Sequence, residues 1–178
     1  MPSLVIRTAE VGDAAAIAAL HVEGWEEFRP FVPDAVLAGR TLQRRTAEWR
    51  RRLEHQDPRW WTAVAEDTVS IVAFVGVEHL AATAFGANSE IHHLFVTTAW
   101  RRHGVGRRLL AAAAEWIAAS GAEPISLFSF TQNPHRVAYE HLGGRIVGER
   151  NSQWDGQVIP ETCYLWPTAS DLINNTKL

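Results

Sequence analysis

The chain has 178 residues, 47% of them hydrophobic, and a formal charge of −3. That length suits one compact domain with a proper core, and the charge gives no reason to expect a nucleic-acid partner. Cys163 is the only cysteine, which excludes an internal disulfide and fits a reducing compartment. The opening residues MPSLVIRTAE lack the apolar core of a signal peptide, and the nearby apolar run Ala14–Leu20 is too short to span a bilayer. The expectation is a cytoplasmic, single-domain protein over residues 1–178 with no membrane partner.

Leu4–Arg7 reads as a first strand. Asp13 is placed to cap a helix on which Ile17, Leu20 and Trp25 share a face. The segment Phe28-Arg-Pro-Phe-Val-Pro33 stops that helix with two prolines. A second helix is predicted from about Thr41 to His55, because Leu42, Thr46, Trp49 and Leu53 recur at steps of four, three and four. Its other face carries Arg44, Arg45, Arg50, Arg51 and Arg52 among Glu48 and Glu54. That face reads as solvated and laced with ion pairs rather than as an anion-binding patch. Strands follow at Trp60–Glu66, Ser70–Glu78 and Glu90–Thr98, all rich in strand-forming residues. Val105–Ser120 reads as a long helix with Val105, Leu109, Ala113, Trp116 and Ile117 on one side and Gly121 as its stop. Ile125–Phe130 is a further strand, and Pro134–Leu142 a short helix ended by Gly143-Gly144. Arg145–Arg150 and Val158–Trp166 read as a last antiparallel pair around Asp155-Gly156. This order predicts an α/β fold with a mixed sheet, not a repeated βαβ array.

The sharpest feature is the junction Arg101-Arg-His-Gly104-Val-Gly106-Arg-Arg, where a strand feeds a glycine-containing loop that opens a helix. The first helical turn leaves backbone N–H groups free, the helix dipole places positive charge there, and the glycines let an anion come close. Arg101, Arg102, Arg107 and Arg108 add charge, so the loop reads as a phosphate cradle. A P-loop would need Gly-Lys-Ser/Thr, and Gly106 is followed by Arg107-Arg108. A dinucleotide fingerprint would need a third glycine at 109, which is Leu, and an acid on the next strand, ISLFSF, which has none.

Arg101, Gly104 and Gly106 resemble the Arg/Gln-x-x-Gly-x-Gly/Ala signature of the GNAT superfamily of N-acetyltransferases, and the segment Trp25–Pro33 with the arginine-rich helix resembles the aromatic-rich front half of its bacterial small-molecule members. Asn133-Pro-His-Arg-Val-Ala-Tyr139-Glu-His-Leu-Gly143 resembles that family's Asn…Phe-Tyr-Glu-x-x-Gly-Phe segment. Here the Asn133-to-Tyr139 spacing is one residue shorter, and Ala138 and Gly144 stand where the family has Phe. The resemblance implies a mostly antiparallel sheet of about seven strands flanked by about four helices.

It also implies acetyl-CoA as cosubstrate and direct transfer to a primary amine, with no enzyme nucleophile, which leaves Cys163 structural. Backbone groups of Leu94, Phe95 and Val96 would pair with the pantetheine arm like an added strand. The pyrophosphate would sit on the loop of Arg101, Arg102, His103, Gly104, Val105, Gly106 and Arg107, and Asn133 also falls on the coenzyme side. Tyr139 matches the tyrosine facing the coenzyme sulfur, where a phenol of pKa ~10 can donate to a thiol of pKa about 8.5. Glu90, eleven residues before Arg101, resembles the base glutamate of the histone-acetylating branch. Strand alternation puts Glu90, His92, Leu94 and Val96 on one face, with Glu90 about 13 Å from Leu94, so that it would act through water. His92, of ordinary pKa about 6.5, is a second candidate base. His92-His93 does not read as a metal site, since strand neighbours point to opposite faces, and no metal is expected. Trp25, Phe28 and Phe31 are expected to wall the acceptor side for a small-molecule amine, and a homodimer is compatible with the pattern. The alternatives are a non-catalytic CoA-binding sensor and a protein N-terminal or lysine acetyltransferase.

Overall fold

A computed structural model describes residues 4–177. Its strands are β1 (Val5–Thr8), β2 (Trp60–Glu66), β3 (Ile71–Ala84), β4 (Ala87–Val96), β5 (Ile125–Phe130), β6 (Arg145–Trp154) and β7 (Gln157–Trp166). Its α-helices are α1 (Ala14–Glu26), α2 (Asp34–Ala38), α3 (Leu42–His55), α4 (Val105–Ser120), α5 (Val137–His141) and α6 (Ala169–Thr176). The strands make one sheet in the order β1-β2-β3-β4-β5-β7-β6. Among the described residues only the β4–β5 pair is parallel. Among the described residues no helix is long and apolar enough to cross a membrane.

The 3.6-residue period of α4 buries Val105, Leu109, Ala113 and Ile117 on one sheet face, with Val75 and Val77 of β3, Ile91 of β4 and Leu172 of α6. The opposite face is covered by α1 and α3 through Ile17, Leu20 and Trp49, which pack on Val64 and Phe74. Gly24 lets α1 come close: a Cβ there would lie 2.1 Å from the Phe95 ring. A third cluster joins Trp25, Val32, Val36 and Leu37 to Phe130 of β5 and Ile159 of β7. The chain between α1 and α3 therefore arches over the β5–β7 half of the sheet.

Several elements differ from expectation. The described residues form six α-helices where about four are expected. The missed α2 is only five residues long, and α6 is set by a capping box between Thr168 and Asp171. β3 and β4 run on to a turn at Phe85 and Gly86, both with positive φ (53° and 78°), the geometry of a tight hairpin. Asp13 makes no side-chain cap on α1. Its carboxylate instead accepts from the Glu10 amide at 2.8 Å and pairs with Arg7 at 2.7 Å.

Candidate functional site

β4 and β5 are paired only through Ser89↔Ile125, Glu90↔Ser126 and Ile91↔Leu127. Beyond Ile91, β4 remains bonded to β3 and β5 to β7, but the two no longer pair with each other. The sheet thus opens into a cleft beside Leu94, Phe95 and Val96, where backbone groups pointing away from β3 lack strand partners. One of them is used: the Val96 carbonyl accepts from Arg101 Nε at 3.0 Å.

The loop Arg101–Gly104 lies just past the end of β4. Arg102 (φ 61°) and Gly104 (φ 79°) are both left-handed, which turns the loop sharply into α4. Left-handed residues beside a helix start converge successive amides into an anion-binding concavity. The arginines divide their roles. Arg101 also donates to Glu27 Oε1 at 2.5 Å, tying the end of α1 to the loop, and Arg108 reaches the Leu4 carbonyl at 3.1 Å. Arg102 and Arg107 stay exposed beside the helix start. Asn133 is engaged locally: its carbonyl accepts from the His135 amide at 3.0 Å and its amide donates to Ser129 Oγ at 3.2 Å.

β4 corrects the expected side-chain alternation. Gly76 faces His93 but Val77 faces Ile91, so His92 is the extra residue of a β-bulge. A one-residue insertion moves everything before it to the other face. Leu94 and Val96 lie with Ile91 toward α4, as members of that core. Glu90, directly opposite Glu78, lies on the α1–α3 face with Phe74 and His93. The expected grouping of Glu90 with Leu94 and Val96 is therefore wrong, and the premise that His92 and His93 point to opposite faces of a regular strand fails with it.

On that face Glu90 is 5% exposed and sits in a charged cluster. His92 Nδ1 lies 3.2 Å from Glu90 Oε1, and its Nε2 2.9 Å from Glu78 Oε2. Arg150 Nη2 lies 3.6 Å from Glu90 Oε1, while Arg150 Nε donates to Glu161 at 2.7 Å. Ser152 also donates to Glu161. The Arg150 guanidinium is 3.5 Å above the Phe128 ring. Burial pushes the Glu90 carboxyl up to about 7, only partly opposed by Arg150 and reinforced by Glu161 and Glu78. Burial, with the charges of Arg52 and Arg150, pushes His92 down to about 4. Near neutral pH, Glu90 is thus the group poised to exchange a proton. The buried Cys163 has its thiol raised to about 11, mainly by burial.

Tyr139 lies on the other face of the sheet. It projects from α5 against the α4-side core that Leu94 and Val96 also join, with its ring 5.4 Å from that of Tyr164. The Tyr164 hydroxyl is engaged by Arg136 at 2.8 Å. Burial pushes the Tyr139 phenol up to about 12.

The aromatic segment at the end of α1 and just after it splits as well. Phe28 is half-buried and bridges the cleft, 6.4 Å from Phe95 of β4 and 5.2 Å from Phe130 of β5. Phe31 packs on Phe28 at 5.6 Å. Trp25 is 6% exposed, under the Arg40 guanidinium at 3.7 Å and against Phe130 and Trp154. Trp25→Ala should accordingly cost ~3–5 kcal/mol of stability. Phe28→Ala and Phe31→Ala should instead raise the acceptor KM with little change in melting temperature. Paired melts and Michaelis curves check this; large destabilisation at both phenylalanines with unchanged KM overturns their role as a wall.

Sequence reasoning missed Glu78, Phe85, Phe128, Arg150 and Glu161. Two signals were available. A two-residue turn at Asp155-Gly156 fixes the register that puts Arg150 opposite Glu161. The Phe85-Gly86 turn brings the Phe85 ring 5.2 Å from Phe128, at the rim of the charged cluster.

The family model "Acetyltransferase (GNAT) family" matches residues 17–143, well over half the chain. The chain belongs to the GNAT acetyltransferase family. It is 25% identical over 171 residues to the uncharacterized N-acetyltransferase YuaI of Bacillus subtilis, covering 95% of this chain and 96% of that one. The GNAT fold recurs in a GNAT-family acetyltransferase from Streptococcus pneumoniae (TM-score 0.66, 22% identity, 93% of this chain and 99% of that one). It recurs also in yncA from Salmonella typhimurium, solved with its cofactor acetyl-CoA (TM-score 0.65, 17% identity, 93% and 94%). As a GNAT N-acetyltransferase the chain is an enzyme, and the cleft, loop and charged cluster are its candidate active site.

Proposed function

We propose that this enzyme transfers the acetyl group of acetyl-CoA directly to a primary amine of a small molecule. The observation that carries the reading is the β4–β5 opening with a near-neutral carboxyl, Glu90, on one sheet face and a protonated phenol, Tyr139, on the other. The chain's residues fit the coenzyme. Leu94 and Val96 direct their backbone groups away from β3 toward the cleft, whereas those of Phe95, opposite Phe74, bond back to β3, and the amides of Arg102–Arg107 form the cradle for its pyrophosphate. Bound there, the coenzyme supplies the acetyl group as an activated thioester. Glu90 takes a proton from the acceptor ammonium, directly or through water, and the free amine is then the nucleophile. Tyr139 gives a proton to the departing thiolate as the C–S bond breaks, and the second proton lost by the attacking nitrogen makes good the phenol through solvent. His92 holds Glu90 in place from the bulge, with Glu78 behind it. Phe28 and Phe31 on one side and Phe85 on the other narrow the approach, which favours a small acceptor over a folded protein.

Two experiments test this. Acetyl-CoA should raise the melting temperature by mass action, about 2.7 kcal/mol at a hundredfold excess over Kd. Gly104→Val forces a β-branched residue to φ 79° and should abolish the shift; a variant that folds and still binds as tightly overturns the cradle. A non-catalytic sensor would show the shift but release no free thiol from acetyl-CoA across an amine panel, whereas the enzyme releases it.

A further inference from the structure

The arginine-rich face of α3 is not uniformly solvated. Arg44 and Arg45 pair with Glu48 at 3.0 and 2.6 Å, as expected of ion pairs on a helix. Arg52 does something else. Its guanidinium lies 4.1 Å over the Trp60 ring and 5.1 Å from that of Trp49, and it has no ion-pair partner among the described residues. The two carboxylates whose charge it feels are committed elsewhere, Glu78 to His92 and Glu48 to the two arginines. Arg52 opens onto a cavity of about 480 Å³ between α3 and the start of β2. Two buried polar atoms of the same lining, Arg45 Nε and His93 Nδ1, also lack partners among the described residues.

A guanidinium packed over one indole, with a second nearby, and left without a carboxylate among the described residues is preorganised for an anion. One planar fork matches the two coplanar oxygens of a carboxylate. The cavity also adjoins the charged cluster, because the Trp60 indole that carries Arg52 lies 5.1 Å from the His92 ring. An anion on Arg52 is thus one indole away from the group that contacts Glu90.

Resting on the transferase reading above, we propose that the acceptor carries a carboxylate as well as its amine, and that Arg52 binds that carboxylate in the α3 cavity. The acceptor class is an amino acid whose amine reaches Glu90 while its carboxylate stays on Arg52. Arg52 then sets substrate choice without touching the reacting atoms.

The test uses products, so it needs no turnover. N-acetylated ω-amino acids of two to six carbons, and their carboxamides, are titrated by calorimetry into the enzyme with saturating CoA. At least one acid should bind about ten- to a hundredfold tighter than its amide, the scale of a hydrogen-bonded charge. Arg52→Gln should erase that preference, and Arg52→Lys should keep only part of it, since the charge survives but the fork does not. The proposal is overturned if every acid and amide pair binds alike, if Arg52→Gln keeps the preference, or if the amides bind better. The transferase reading is read separately, from CoA binding and from thiol release with the matching free amines. Loss of those signals with the carboxylate preference intact would sink the transfer chemistry and leave the Arg52 site standing.

Discussion

Tyr139→Phe is expected to lower kcat by about 10²–10⁴ while leaving acetyl-CoA affinity nearly unchanged. The substitution keeps the ring that packs beside Tyr164 and removes only the hydroxyl. Burial holds that hydroxyl protonated across the working pH range, since its pKa is pushed up to about 12. A donor so weakly acidic gives up its proton only to a stronger base, which a desolvated thiolate in a closed cleft can be. The phenol also gives the developing sulfur charge a hydrogen bond before any proton moves. Loss of the donor should therefore appear in kcat and kcat/KM together, the signature of an interaction made in the transition state. Single-turnover measurements separate this from product release. An unchanged rate, with chemistry shown to be limiting, would reduce Tyr139 to a packing residue of α5.

The parts of this molecule that follow from local pattern were legible in its residues. The α4 stripe and the α3 bounds from Leu42, capped by Thr41, emerge from spacing and capping alone. The strand, glycine turn and helix start at Arg101–Gly106 are equally local, since they are consecutive in the chain. The bulge at His92 was not legible, because it exists only in the register between β3 and β4 and leaves no composition mark on either strand. Missing it reversed the face assigned to Glu90. The hairpin arms beyond His79 were hidden by small, exposed residues such as Ala81, Ala82 and Thr83, which bury no apolar stripe. From sequence Arg52 is one more solvated charge, because one of its indole partners, Trp60, lies beyond its own helix and meets it only in the fold. Local pattern thus reaches the loop proposed to hold the coenzyme, while the charged cluster around Glu90 is assembled by long-range pairing.

The placement of Glu90 makes a prediction with two independent readouts. In activity, the base must be ionised, so kcat/KM should fall as pH drops through about 7, and Glu90→Gln should flatten that limb while lowering the plateau. If His92→Gln flattens it instead, the base is His92; if neither variant does, bulk solvent takes the proton. In stability the sign runs the other way. The folded-state pKa of Glu90 is raised above its ordinary value of 4.5, because burial beside Glu161 and Glu78 disfavours the charge. The stabilisation of the neutral form is fully present below about pH 4.5 and is lost as pH rises through about 7. Glutamine stays neutral throughout. Glu90→Gln should therefore gain melting temperature over the parent protein above pH 7, and the gain should vanish toward pH 4.5. His92 loses its carboxylate neighbour in the variant, so the comparison is made as the difference between the two proteins at each pH. Arg150 stays held by Glu161 in both, which limits the cost of removing one of its two acidic neighbours. A variant less stable at pH 8 than at pH 5, relative to the parent, would mean that Arg150 already holds Glu90 ionised. Glu90 would then be a structural ion-pair partner, and the proton would have to leave the amine by another path.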